Sequence, residues 1–340
     1  MDSTVILEVT NNMTWALIVG NGLTVDAARH CGLDLSPNQP WGWPIKNPYD
    51  DQQPLIDVFP RLKGHLLSQG DLSELPIYEA LKSIVEDTQS RPPMTPNQTM
   101  RDQDYIHLEA CHFLRIAYAW YSQQIDHKSL ESWQWTHWLK QNGSRLVAAL
   151  SYNYDTVLER ALRLAGVGII YPWSRQNFIF GPGLVPTEPE LYVDEHPSDQ
   201  AVIPIAKPHG SSNFSGWLRR EVSDENGIRP LYPIDGVFSC RDSTLKILED
   251  KELLQETSNA DLVLPGEWTC WKNDESTRVE WAAKQKEFFA EDVEKAQNLM
   301  VVGFGNGLPD QPEFEALLSG MKPFKQIHVV HPQLTPPTDL

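Results

Sequence analysis

Leu146-Val-Ala-Ala-Leu150 is a short, unbroken apolar run that stops at Asn153 and Asp155 and gives way at once to a helical pattern. A run without polar alternation must be covered on both faces, which points to a strand inside a parallel sheet. Thr156 and Glu159 have capping-box spacing. Val157, Leu158, Ala161, Leu162 and Ala165 then form an apolar stripe, and Gly166 ends the helix. Asn153 and Asp155 therefore stand where the carboxyl end of a strand meets a helix N-terminus, the usual ligand crevice of an open α/β sheet. The same two residues equally suit a plain turn in which their side chains satisfy backbone donors.

The pattern recurs along the chain. Trp15-Ala-Leu-Ile-Val19 runs into Gly20-Asn21-Gly22-Leu-Thr24-Val-Asp26 and then a helical Ala27-Ala28-Arg29. Strand, glycine-rich turn and helix present backbone N–H groups to a phosphate, although Val25 occupies the place of the third glycine of the dinucleotide pattern. A tight turn that needs glycine for positive φ explains the same residues. Val202-Ile-Pro-Ile-Ala206 leads into Lys207-Pro208-His209-Gly210-Ser211-Ser212, which puts a histidine at a strand end. Asn298-Leu-Met-Val-Val302 is closed by Gly303-Phe304-Gly305, with Asp310 beyond. Gln326–Val330 reads as a last strand, in which His328, like His331 after it, is given no chemistry.

Between the first two strands, Ile77–Glu86, Asp104–Ile125 and Leu130–Gln141 have helical spacing, and the second is apolar on two sides. Leu35–Pro60, centred on Trp41-Gly-Trp43, lacks periodicity and reads as a long loop with at most short helical turns, either a cofactor lid or irregular surface. Trp281–Asn298 is a further helix. Small strands are expected around Phe178 and Leu191, within otherwise irregular sequence from Trp173 to Pro197, and at Asp261–Glu267, ending at Pro265. Glu221–Arg229 reads as an exposed loop and Gln333–Leu340 as a proline-rich tail. Together these elements predict an α/β protein: a Rossmann-type doubly wound parallel sheet in one domain over 1–340, with a helical insertion at 62–142 after the first strand.

A net charge of −18 argues against direct binding of nucleic acid or of an anionic membrane, because either needs a basic stripe. The four cysteines (Cys31, Cys111, Cys240 and Cys270) are scattered, so neither a paired-cysteine zinc site nor a disulfide framework is expected, and no metal is assigned. No apolar run reaches transmembrane length and the first residues lack a basic signal start, which predicts a cytoplasmic protein.

In order along the chain, Gly-Asn-Gly-Leu, Tyr-Asn-Tyr-Asp, His-Gly-Ser and Val-Gly-Phe-Gly resemble the sirtuin-like (silent-information-regulator) proteins, above all the branch found in bacterial antiphage defence. The motifs span roughly Ala16 to Pro332. The resemblance implies a domain that binds NAD+ as substrate and cleaves its nicotinamide–ribose bond. It implies that Gly20, Asn21 and Gly22 approach the pyrophosphate, with Thr24 and Asp26 after them also binding the cofactor. Asn153 would hold the nicotinamide ribose or the attacking water, and Asp155 would accept from the carboxamide. His209, followed by Gly210, would be the general base, and Gly303, Phe304 and Gly305 would line the adenosine half. The four-cysteine zinc module of deacylating sirtuins is missing, and Tyr152 replaces the glutamine that precedes their asparagine. NAD+ hydrolysis is therefore expected ahead of protein deacylation. The resemblance further implies a homo-oligomer acting as the effector of abortive infection, switched on by a separate partner. A HerA-type hexameric ATPase is favoured for that role over an Argonaute-like protein. The rival expectation is a module that senses NAD+ or a derivative without turnover; a purely structural subunit is the bland alternative.

Overall fold

The computed structural model describes residues 13–47, 50–90, 101–170, 202–212, 214–219, 232–240, 262, 264–266, 277–304 and 311–330. The chain opens with β1 (Trp15–Val19), α1 (Asn21–His30), β2 (Lys46–Asn47) and β3 (Asp50–Pro54). A helical block follows: α2 (Pro60–Leu67), α3 (Ile77–Gln89), α4 (Asp102–Gln124), α5 (His127–Glu131) and α6 (Gln134–Asn142). Next come β4 (Leu146–Ser151), α7 (Val157–Leu164), β5 (Gly168–Ile170) and β6 (Val202–Ala206). The remaining elements are β7 (Phe214–Arg219), β8 (Tyr232–Cys240), α8 (Thr277–Val293), β9 (Asn298–Val302), α9 (Gln311–Ser319) and β10 (Gln326–Val330).

Six of the strands form a parallel sheet in the order β10-β9-β1-β4-β6-β5, with helices on both faces. This is the expected α/β Rossmann-like architecture. β2 pairs antiparallel with β3, and β7 with β8, outside that sheet. From β1 the chain first builds outward to β4 and the edge strand β5, inserts β6 between them, then returns to the other side of β1 to add β9 and β10. The direction of winding reverses between β1 and β9. At such a reversal the loops leaving the two carboxyl ends diverge and open a crevice.

The apolar runs are explained by two separate cores. Trp15, Leu17 and Val19 point into one, shared with α1, α7 and the helical block, while Ala16 and Ile18 point into the other, beneath α8 and α9. Successive side chains alternate across a strand, so a strand covered on both sides is apolar at nearly every position; Ser151 at the end of β4 and Asn298 at the start of β9 are the buried polar exceptions.

The helices α2 to α6 occupy the chain between β1 and β4, and their apolar residues are continuous with the sheet's own core. The Leu35–Pro60 stretch is neither lid nor irregular surface at its centre. Trp41 stacks on Phe113 at 5.2 Å and Trp43 on Tyr121 at 4.5 Å, both against α4. Tyr118 Oη donates to the Pro37 carbonyl (2.6 Å) and Tyr121 Oη to that of Leu35 (3.2 Å), so the loop is bonded along the same helix. Burying aromatics of this size stabilises by about 2–3 kcal/mol each, enough to hold a segment whose regular structure is limited to short 3-10 turns and the small β2–β3 pair.

Two expected elements differ. Leu130–Gln141 is not one helix but α5 and α6, broken at Ser132 and Trp133, where Trp133 turns its indole N–H to Asp26 (3.0 Å). Within Asp261–Glu267 the described residues form no strand: Leu262 and Leu264 are buried, and Gly266 turns the chain with φ +83°. The expectations for Trp173–Pro197, Glu221–Arg229 and Gln333–Leu340 lie outside the described residues. Among the described residues no helix is long and apolar enough to cross a membrane.

Candidate functional site

The crevice is built first from backbone. Gly20 N–H donates to the Val302 carbonyl (2.8 Å) and Gly22 N–H to that of Gly303 (2.9 Å), so the pairing of β1 with β9 continues past both strands into the turn. A Cβ on Gly22 would lie 2.5 Å from Gly303 Cα, and one on Gly303 2.4 Å from the Leu23 nitrogen. Neither Gly20 nor Gly22 has positive φ; Gly303 does, at +74°. The glycines of the first turn thus serve the close approach of two chain segments rather than a strained turn. Gly22 spends its N–H on that contact rather than offering it to a phosphate. Asn21 bonds through its side-chain amide to Asn38 of the tryptophan loop.

At the end of β4, Asn153 is buried. Its Nδ2 donates to the Gly20 carbonyl (3.1 Å) and to Thr24 Oγ1 (3.0 Å). A carbonyl only accepts, so this contact fixes which end of the amide is nitrogen. Thr24 passes its own proton on to Asp155 Oδ2 (2.7 Å), and Asp155 Oδ1 accepts from the Val157 N–H (3.0 Å) at the start of α7. Asp155, not a Thr156–Glu159 capping box, therefore serves the helix N-terminus. Both oxygens of Asp155 are engaged inside the protein. Burial pushes this carboxyl above the ordinary aspartate range, against the opposing effects of Lys207, Thr24 and the Val157 N–H.

That shift sets a pH dependence. A carboxyl that holds its proton more tightly folded than unfolded favours the folded chain below its ordinary value near 3.8. The advantage is lost as the pH rises through the raised folded value. Urea unfolding across this range is expected to show the wild type losing stability with rising pH relative to Asp155→Asn, whatever constant cost the amide adds. Parallel pH profiles would place the ionisation elsewhere.

The turn after β6 supplies the rest. Leu150 pairs with Ala206 across β4 and β6, and Asn153 and His209 each stand three residues further on. Both therefore leave neighbouring strands the same number of residues past one paired position. Tyr152 and Tyr154 straddle Asn153, and both rings reach His209, at 4.9 Å and 6.5 Å between centroids. Gly210, at φ +82°, turns the chain so that the Ser212 N–H donates to the Tyr154 carbonyl (2.7 Å). Tyr152 also meets Phe304 edge-on at 5.4 Å, which brings the β9 turn to the same cluster.

Two buried ionic groups brace this turn. Lys207 Nζ donates to Glu159 Oε1 (2.8 Å) and to the Asp155 carbonyl (2.6 Å), with both side chains fully buried. His209 Nε2 lies 2.9 Å from Glu313 Oε2, and Glu313 Oε1 is 3.4 Å from Lys286 Nζ.

Gly20, Thr24, Asn153, Asp155, His209, Gly210, Gly303 and Phe304 are thus gathered around the carboxyl ends of β1, β4, β6 and β9. Asp26 is not among them, because it accepts from Trp133 and Gln134 (3.2 Å) in the helical block. Gly305 and Asp310 lie outside the described residues. Sequence reasoning missed Glu159, Lys207, Lys286 and Glu313. A lysine directly after the apolar run of β6, and a glutamate beside Leu158 on the apolar stripe of α7, were the available signals for the first pair. Nothing local marks the second pair, which depends on how α8 and α9 pack. Among the described residues no group of three or more His, Cys, Asp or Glu is placed to hold a metal ion. No family model matches the chain, and no curated protein does.

Proposed function

We propose that the chain is an NAD+ glycohydrolase, with Asn153 and His209 at the reacting centre. The observation that carries this reading is their placement on the ends of adjacent parallel strands, beside the β1–β9 crevice. In the reaction the bond between ribose C1′ and the nicotinamide nitrogen breaks, and its electron pair leaves with neutral nicotinamide. A water oxygen bonds to C1′, and the water's proton passes to His209 and on to solvent. A neutral leaving group needs no strong acid, so the task of the protein is to position ribose and water and to accept one proton. Asn153, its amide nitrogen anchored on Gly20 and Thr24, presents its carbonyl end as an oriented acceptor for a ribose hydroxyl or the water. Phe304 and the β9 turn border the same crevice, where the adenosine half would lie.

The resemblance to sirtuin-like defence proteins extends the proposal. The chain acts in the cytoplasm as the effector of an abortive-infection system, as a homo-oligomer, and depletes NAD+ when a separate partner triggers it. A HerA-type ATPase is favoured for that partner over an Argonaute-like protein. The burial of His209, 2% exposed, favours a second reading: a module that binds NAD+ and signals without turnover.

NAD+ consumption by the purified chain, followed by chromatography, separates the two. Free nicotinamide appearing in step with NAD+ loss is expected, with Asn153→Ala and His209→Ala each slowing it at least about a hundredfold. Turnover that persists in both variants would remove these residues from the chemistry. Binding of NAD+ with no turnover, even when candidate partners are added, would establish the sensor.

A further inference from the structure

We propose that Glu313 is a positioning residue for His209: its buried carboxylate holds the imidazole proton on Nε2 and so makes Nδ1 the basic nitrogen. This rests on the reading of His209 as the base of nicotinamide–ribose cleavage. Glu313 lies on α9, on the far side of the β9 turn from the strand, yet its side chain is fully buried against a residue of the β6 turn. A carboxylate taken out of water without partners costs several kcal/mol, so one placed here must be compensated. The compensation is an imidazole at 2.9 Å on one oxygen and an ammonium at 3.4 Å on the other. Lys286, on α8, is itself mostly covered; burial pulls its pKa down and Glu313 opposes that pull.

The chemistry follows from donor and acceptor identity. An ionised carboxylate only accepts, so the imidazole nitrogen facing it carries the hydrogen, and the lone pair of the neutral ring lies on Nδ1. When the water's proton arrives at Nδ1, the Glu313 charge stabilises the imidazolium, and Lys286 moderates that effect. Among the described residues, the rings of Tyr152 and Tyr154 also contact His209. Lys207, two residues earlier in the turn, is held by Glu159.

Imidazole nitrogen NMR of the whole chain tests this directly, with the His209 signals identified by their loss in His209→Gln. The expected result is a neutral ring protonated at Nε2. In Glu313→Gln proton binding by His209 should weaken about tenfold or more. In Lys286→Met, which leaves Glu313 in place, it should strengthen. A proton on Nδ1 in the wild type, an unchanged affinity in Glu313→Gln, or weakening in Lys286→Met would each overturn the proposal. In the NAD+ assay, Glu313→Gln should lower kcat about tenfold to a hundredfold with KM little changed, and should move the acid limb of the pH profile to lower pH. A rise in kcat would mean that Glu313 blocks the base instead, and would also overturn it. If the wild type consumes no NAD+ even with candidate partners added, the catalytic reading fails, while the tautomer and the opposed responses of the two variants still decide whether Glu313 sets the state of His209.

Discussion

Gly303→Ala is expected to destabilise the chain by at least about 3 kcal/mol, and Gly22→Ala by a comparable amount. At Gly303 two costs add. The backbone sits at φ +74°, where a residue with a Cβ loses about 1–2 kcal/mol. The new Cβ would also lie 2.4 Å from the Leu23 nitrogen and 2.7 Å from Gly22 Cα, and backbone atoms cannot rotate away as the end of a side chain could. At Gly22 only the second cost applies, but it falls on the same contact, 2.5 Å from Gly303 Cα. Relief in either case means parting the β1–α1 turn from β9 and giving up the bond from the Gly22 N–H to Gly303. Gly32 is the control. It has nearly the same φ, +69°, with nothing within 4 Å of its added Cβ, so Gly32→Ala should show the backbone cost alone. Urea unfolding of the three variants checks the order. A Gly303→Ala no more costly than Gly32→Ala would mean that the two turns are not in contact.

Lys207→Met should cost about 3–5 kcal/mol, because it strands the fully buried Glu159 carboxylate. The same change also removes a donor from the Asp155 carbonyl, next to the Asn153–Thr24–Asp155 chain of hydrogen bonds. The pair as a whole is another matter. Its attraction is largely cancelled by the cost of desolvating two charges, so Lys207→Met with Glu159→Leu is expected to recover much of the loss. Chemical denaturation of the two single variants and the double variant forms a closed cycle. If the double variant loses as much as the sum of the singles, the two residues do not interact.

The sheet was legible because its strands obey a local rule. Trp15–Val19, Leu146–Leu150 and Val202–Ala206 are apolar throughout, as is Asn298–Val302 after its first residue, and each is followed by a glycine, asparagine or histidine where the chain leaves the sheet. The same rule found Asn153 and His209. It could not say what the glycines are for. Gly22 and Gly303 are required by each other, and their closeness is a property of β1 lying beside β9, not of either turn. The tryptophan loop failed for a similar reason. Trp41 and Trp43 lack periodicity because the surface that receives them belongs to α4. Asp26 was assigned by its position after the glycines, yet the turn of α1 on which it sits faces the indole of Trp133. Glu313 was invisible because a glutamate in an ordinary helical sequence reads as solvent-facing until its helix is placed over the β6 turn.

The placement of β1 between β4 and β9 also bears on how the protein is made. The ribosome delivers Trp15–Val19 well before Asn298–Val302, one of its two neighbours in the sheet. Until then the apolar edge of β1 has no partner and is open to pairing with other chains, a hazard that chaperones would have to cover. The crevice between Gly22 and Gly303 cannot exist in a product that stops before Gly303. A chain released before Gly303, by a stalled ribosome or a premature stop, would therefore lack this crevice altogether. For an enzyme proposed to drain the NAD+ of the cell that makes it, late assembly is a safeguard written into the strand order.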